Sequence, residues 1–283
     1  MYYLRGKESG PLTARPDGTD KMAEERLQNI LARAGVASRR GAAAIIEAGR
    51  VTVDGIVVRE AGARFDPASA DVAVDGERIA AAEKKRTIML YKPVGVLSSM
   101  SDPFGGTTVA DLIRGAVDER LVPVGRLDKD SEGLLLMSND GELTNRLTHP
   151  RFGHAKTYIV KAAGRWSDEK LAVLRGPVKM PDGYVTRPVP VRVVGETFNN
   201  VTTLEFVLKE GRKRQIRYMC SAAHLVVVSL KRVAVGSLTL PMDLNPGEFR
   251  DLTQTEIAEE IGISQAQVSR LEKAALERIR KQI

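Results

Sequence analysis

One cysteine, Cys220, stands among 283 residues, which excludes an intramolecular disulfide and any metal site assembled from several thiols. Its flanks, QIRYM and SAAHL, are largely apolar or small, so Cys220 reads as a half-buried structural thiol and not a nucleophile. A reducing, cytoplasmic setting fits. Histidine is also scarce, at three residues; His149 and His154 flank a Pro-Arg-Phe-Gly turn without acidic or thiol companions, and no metal is expected. Aromatic residues make up only 5%, which argues against a stacking platform for single strands and in favour of backbone contacts by Arg and Lys. No apolar run approaches the roughly 20 residues that span a bilayer. The first residues carry no apolar signal-peptide core, so no membrane association is expected.

What is present fits two domains, or one large domain with small additions, at about 100–200 residues per domain. The net charge of +7 and pI near 9.5 suit a polyanionic partner, and equally a protein that merely stays soluble. Residues 1–21 read as a disordered leader, and Met22, opening a charged helical segment, serves as well as Met1 for an initiator.

Residues 24–50 predict two short helices. In ERLQNILARAG, Leu27, Ile30, Leu31 and Ala34 fall at helical spacing and Gly35 is a stop; Ser38 then caps RRGAAAIIEAG. The strand pair RVTVDGIVV follows, with Asp54-Gly55 as a tight turn. Arg33, Arg39, Arg40 and Arg50 sit at helix ends and turns, where they are either phosphate clamps or ordinary solvated arginines. The pattern Arg33-Ala34-Gly35-Val36-Ala37-Ser38-Arg39-Arg40, with Gly49-Arg50-Val51 and Val53-Asp54-Gly55 after it, resembles the S4 RNA-binding domain over a unit of residues 22–80. The resemblance implies docking on structured RNA through shape and phosphates, with Ser38 and these four arginines on the RNA-facing side.

Residues 80–86, AAAEKKR, read as a polar linker, and a strand-rich domain of residues 86–252 begins there. Strands are predicted at 87–91, 134–137, 156–162, 189–194, 201–208 and 225–228, and helices at 108–114 and 212–222. The expected class is α+β: a helix-helix-hairpin unit, then a mixed β-sheet with packed helices, then a short helical tail.

The run Val124-Gly125-Arg126-Leu127-Asp128-Lys129-Asp130-Ser131-Glu132-Gly133 places carboxylates in a turn directly before the apolar strand Leu134-Leu135-Leu136. Glycine at 125 and 133 permits close backbone approach, and Arg126 adds a cation. On composition alone, Asp128 is as readily a turn residue satisfying local amides. Lys209-Glu210-Gly211-Arg212-Lys213-Arg214-Gln215-Ile216-Arg217 packs five cations into nine residues, a density that phosphates or a carboxylate would neutralise, with a solvated basic face as the alternative.

Together these clusters resemble the ribosomal branch of the pseudouridine synthases, whose members join an S4 domain to a catalytic domain with a Gly-Arg-Leu-Asp signature. The likeness runs from Lys92-Pro93-Val94-Gly95 through Gly125-Arg126-Leu127-Asp128, Asn139-Asp140-Gly141, Lys156-Thr157-Tyr158 and Gly211 to Arg217, and on to Leu230-Lys231-Arg232-Val233 and Gly247-Glu248-Phe249-Arg250. It departs at Ser131-Glu132, where Thr and Ser are commoner, and at Ala222-Ala223-His224 in place of Leu-Gly-His. The resemblance implies isomerisation of uridine in ribosomal RNA without a cofactor. Asp128 is then the catalytic carboxylate, Tyr158 the ring stacked on the base, and Arg217 a buried cation paired with Asp128. Arg126 and Lys156 become phosphate contacts beside a flipped nucleotide, with Arg212, Lys213 and Arg214 adding charge. Residues 101–109 resemble members acting on large-subunit RNA, which favours 23S over 16S. A monomer is expected.

Residues 253–283 follow a helix-turn-helix template, with Ala258, Gly262, Val268 and Leu271 at the small, turning and core positions and Ile257, Ile261 and Ile263 completing the apolar face. They resemble the promoter-recognising end of sporulation sigma factors. Three readings stay open: an added nucleic-acid contact, a remnant packing as a helical hairpin, or a chimeric gene. If the tail governs function, the chain is a DNA-binding regulator.

Overall fold

The computed structural model describes residues 24–79, 84–195 and 199–260. The expected leader, most of the expected tail and residues 80–83 of the expected linker lie outside the described residues. The chain divides into two units, residues 1–82 and 83–283.

In the first unit, β1 (Glu25–Arg26) leads into α1 (Leu27–Arg33), and α2 (Arg39–Glu47) starts at Ser38, whose hydroxyl accepts from the Gly41 amide at 3.0 Å. The strands are β2 (Val51–Val53), β3 (Ile56–Val58), β4 (Arg64–Phe65), β5 (Val72–Val74) and β6 (Glu77–Arg78). Asp54 and Gly55 both take positive φ, the left-handed pair that a two-residue hairpin turn between β2 and β3 requires. Leu27, Ile30 and Leu31 of α1 and Ala42 and Ile46 of α2 close a core over Val51, Val53 and Val72. The helix-helix-hairpin order follows from two apolar helical stripes meeting one apolar sheet face. The pairing of β5 and β6 was not foreseen, because such short strands gain their stability from a neighbour and not from propensity.

The second unit is built on a nine-stranded mixed sheet in the order β11-β12-β10-β13-β9-β7-β15, with β14 and β8 branching from β13 and β9. In chain order its elements are β7 (Thr87–Lys92), α3 (Val109–Ile113), β8 (Val122–Val124), β9 (Glu132–Ser138), α4 (Gly141–Thr148), β10 (Lys156–Ala163), α5 (Asp168–Arg175), β11 (Val191–Val193), β12 (Val201–Leu208), α6 (Gln215–Ala222), β13 (Val226–Val235), β14 (Leu238–Thr239), β15 (Phe249–Asp251) and α7 (Gln254–Glu260). Central β7 is buried along its length, and its side chains alternate between two faces. Ile88 and Leu90 join Leu135 and Met137 beneath α3, whereas Met89 joins Leu134 and Leu136 beneath α4. A third core gathers Leu204, Phe206 and Leu208 of β12 with Leu171 and Leu174 of α5 and Ile216, Met219 and Cys220 of α6. Strict alternation along β12, VTTLEFVL, produces that one-sided burial.

Three expectations shift. The strand predicted at 225–228 runs ten residues, since β13 pairs with β10 along its length and meets β9 in parallel. The helix predicted from Arg212 begins only at Gln215, because Arg214 adopts the left-handed region at φ 56° and breaks the turn before it. Arg86, at the end of the expected linker, is anchored to the sheet by its side chain: the guanidinium bonds Asp251 at 2.7 Å and Glu119 at 2.9 Å, tying the start of β7 to the end of β15. Among the described residues, no helix is long and apolar enough to cross a membrane.

α7 packs on this unit. Ile257 lies against the core beneath α4, and Ala258 is buried. The Glu260 carboxylate accepts from the Ser237 amide at 2.6 Å and hydroxyl at 2.8 Å, and lies 2.8 Å from His154 Nδ1. His154 therefore has an acidic companion after all, from 106 residues away.

Candidate active site

The turn that carries Asp128 joins β8 to β9 and is braced from several sides. Leu127 is buried, and the Ser98 hydroxyl donates to its carbonyl at 2.8 Å while accepting from its amide at 3.1 Å. The Lys129 carbonyl accepts from the Gly95 amide at 2.7 Å. Lys92, fully buried, donates Nζ to the carbonyls of Ser131 at 2.7 Å and Pro93 at 2.9 Å. Burial pulls the Lys92 ammonium down to about 8, although Asp130, Asp128 and Glu132 oppose the shift. At the far end of the turn, Gly133 has φ +107° and faces Arg232 of β13, where an added Cβ would lie 2.2 Å from the Arg232 carbonyl. Only glycine lets the two strands meet there.

So held, Asp128 faces a cavity of about 420 Å³, within the range of small-molecule sites. The cavity brings together Asp128, Tyr158, Arg217 and Arg126 with the basic loop from Gly211 to Gln215; Leu127, Leu208, Ile216 and Leu230 form its apolar wall. Tyr158 packs between the α3 core and the α5–α6 core, so its ring stands where the two meet. The basic loop is itself fixed. Arg212 stacks 3.8 Å over the Tyr184 ring, the Tyr184 hydroxyl donates to Glu210 at 2.8 Å, and the Gln215 amide donates to the same carboxylate at 2.8 Å. Tyr184 was missed in the sequence because its partner lies 26 residues away and no local pattern marks it.

Arg217 was expected to pair with Asp128. Its partner is Asp130: NH2 donates to the Asp130 carbonyl at 2.7 Å and lies 3.2 Å from its carboxylate, which Arg214 also holds at 2.9 Å. Burial pushes the Asp130 carboxyl up, but the Arg214 hydrogen bond and the charges of Arg217 and Arg214 outweigh it and leave the group below the usual carboxylate range. Among the described residues, no hydrogen bond or ion pair engages the Asp128 carboxylate, and the buried Nε of Arg217 has no partner. The cause is local geometry: an Asp-Lys-Asp turn offers two carboxylates, and its curl presents the second to α6.

The other candidates separate. Arg33 pairs with Glu25 at 2.8 Å, and Arg50 is engaged by Asp75. Arg39 and Arg40 are exposed, with no ion pair among the described residues. Ser38 spends its acceptor on the helix cap. Arg126 and Lys213 are exposed on the cavity lining. Lys156 does not line the cavity; its Nζ donates to the His154 carbonyl at 3.0 Å, and burial together with Arg232 lowers its pKa against the pull of Glu260.

Comparison with known proteins agrees with this geometry. The RNA pseudouridylate synthase family matches residues 86–222, and the S4 domain matches residues 25–69. Sigma-70 region 4 matches residues 243–281, a stretch that includes β15 and α7. A protein of Aquifex aeolicus named as an uncharacterized RNA pseudouridine synthase is 39% identical over 239 residues, covering 84% of this chain and 94% of that protein. Ribosomal large subunit pseudouridine synthase B of Bacillus subtilis is 37% identical over 234 residues, covering 82% and 94%. A crystal structure of a pseudouridylate synthase superposes with a TM-score of 0.59 at 27% identity, covering 83% of this chain and 99% of the other. A carboxylate turn, an aromatic and a basic loop around one cavity, in a domain that follows an S4 domain along the chain, thus sit in a chain nearly co-extensive with its relatives: it belongs to the RNA pseudouridine synthases and is an isomerase acting on uridine in RNA.

Proposed function

We propose that the substrate is a specific uridine of ribosomal RNA, of the large subunit in preference to the small, and that Asp128 is the catalytic carboxylate. A uridine stacked within folded RNA cannot reach a recessed cavity, so the nucleotide is flipped out. The N1–C1′ bond then breaks, the uracil turns and a C5–C1′ bond forms. C5 loses its proton and N1 gains one, so the product is an isomer and no electrons are exchanged with a cofactor. Asp128 acts on the sugar, by attack at C1′ or by removing a neighbouring proton; Tyr158 holds the detached ring against the apolar wall. The Arg217 guanidinium lines the same cavity and supplies positive charge there.

The observation that carries this reading is the single cavity shared by Asp128, Tyr158 and Arg217. The large-subunit preference is supported by the name of the Bacillus subtilis relative and by the sequence of residues 101–109. Unmodified rRNA transcripts incubated with the protein and with Asp128→Ala, then mapped by carbodiimide labelling and primer extension, test it. A stop in 23S RNA with the wild type alone is the expected result; a stop in 16S RNA overturns the preference, and an equal stop with the variant overturns the role of Asp128.

The region-4 match supports a second reading, contact with DNA through the chain after Glu260. Against it, α7 occupies the place of the first helix of that motif, and its apolar residue Ile257 is already packed on the catalytic domain. A chain ending at Glu260 separates the readings: under the second, double-stranded DNA binding is lost while synthase activity stays.

A further inference from the structure

Phe104 is 93% exposed, in a chain whose aromatic content is only 5%. A lone exposed apolar side chain is ordinary on a protein surface. The setting of this one is not. It tops a tight turn in which the Asp102 carboxylate accepts from the Gly106 amide at 2.8 Å, the Asp102 carbonyl accepts from the Gly105 amide at 3.2 Å, and Gly105 takes φ +77°. Both stems are clamped: the Leu97 amide donates to the Thr107 carbonyl and the Val109 amide to the Leu97 carbonyl, each at 2.9 Å. Beyond the turn, Asp111 caps α3 through the Thr108 amide and hydroxyl, both at 2.8 Å.

The base of this braced loop rests on the active-site turn. Ser98, which follows Leu97, is bonded to both the amide and the carbonyl of Leu127, the residue before Asp128. Val94 is also exposed, at 59%, and Gly95 next to it bonds Lys129. Exposed cations stand in the same turn, Arg126 on the cavity and Lys129 beside Asp128. The loop that carries this apolar ring is thus rooted on a cationic turn, the ring is almost fully exposed among the described residues, and the polyanion that the turn attracts brings bases with flat apolar faces.

We propose that Phe104 is a positioning residue that stacks on a nucleobase next to the target uridine, filling part of the gap left when the uridine leaves its stack. This rests on the reading of the chain as an enzyme that flips uridine from folded RNA. A flat ring on a stiff support suits this role, because stacking tolerates any base and the support costs little ordering on binding. Its effect falls on the flipped state, so it lowers the rate more than the affinity.

The test is release of tritium from RNA labelled at C5 of uridine, which reports the isomerisation wherever it occurs. Wild type, Phe104→Ala and Phe104→Trp are compared as full chains, together with their melting temperatures. The expected result is a fall in kcat of about tenfold for Phe104→Ala, equivalent to the loss of one base–aromatic stack. Phe104→Trp should restore the rate, with all three melting alike. Equal kcat for wild type and Phe104→Ala overturns the proposal, as does a fall that Phe104→Trp fails to restore. If the wild type leaves ribosomal transcripts unlabelled at pseudouridine, the ribosomal reading fails on its own. The same three proteins on total unmodified cellular RNA then decide Phe104 by the same ratio.

Discussion

Arg217 reaches past Asp128 to Asp130, with its guanidinium 2.7 Å from the Asp130 carbonyl and 3.2 Å from the carboxylate. The arginine thereby fixes the exit of the turn and leaves the Asp128 carboxylate open to the cavity. Asp130→Asn removes the charge that holds Arg217 and Arg214 while keeping the shape of the side chain. Charge-assisted bonds of this kind contribute about 1.5–3 kcal/mol when buried, and Asp130 is partly solvated, so the lower end applies. Steady-state kinetics of Asp130→Asn should show kcat reduced about tenfold, against near-complete loss for Asp128→Ala. Equal losses would mean that Asp130 itself reacts.

Lys92 gives a pH signature. Its pKa is drawn down to about 8 in the folded chain, so between that pH and the unfolded value of 10.5 the unfolded state holds more protons. Below this window both states carry the charge, and burying it opposes folding in full; as pH rises through the window that penalty is lifted, and stability rises. Denaturant melts of wild type and Lys92→Met across pH 7–10.5 should therefore differ in slope, with the wild type gaining relative to the variant above about pH 8. Parallel curves would place the ammonium in water.

Gly133→Ala should be severe. The left-handed φ alone costs a side chain about 1–3 kcal/mol, and the new Cβ would meet the Arg232 carbonyl, which belongs to a central strand and cannot yield. Loss of soluble protein or a steep drop in melting temperature is expected, and a variant melting like the wild type would refute the close approach of β9 and β13.

Within the S4 domain, Arg39→Ala with Arg40→Ala should weaken RNA binding across sequences and reduce the slope of log affinity against log salt by about one per arginine. Arg33→Ala and Arg50→Ala should do less, since Glu25 and Asp75 already neutralise those side chains. Filter binding over a salt series distinguishes the pairs.

Glu260→Ala removes the acceptor for Ser237 and the partner of His154, both within 2.8 Å. A loss of about 1.5–3 kcal/mol is expected from a buried carboxylate with these bonds. Protease cleavage within α7 should accelerate in step, and unchanged cleavage would show that Ile257 and Ala258 suffice to dock the helix.

Part of the fold was legible locally, while the helices α4 and α5 and several short strands were not. Local rules were enough for Ser38 as a cap, Asp54-Gly55 as a left-handed turn and β12 as an alternating strand, because each depends on residues within one turn or one pleat. Asp128, Tyr158, Arg217 and the basic run were named from motifs, and the fold gathers them on one cavity. Which partner each of them takes depends on contacts between distant residues. The choice of Asp130 over Asp128 by Arg217, the hold of Tyr184 and Gln215 on Glu210, the burial of Lys92 under the turn and the meeting of His154 with Glu260 all join distant residues. Whether two charges meet is set by how strands register and helices pack, and a difference of one residue in a turn redirects a side chain; no local spacing contains that information.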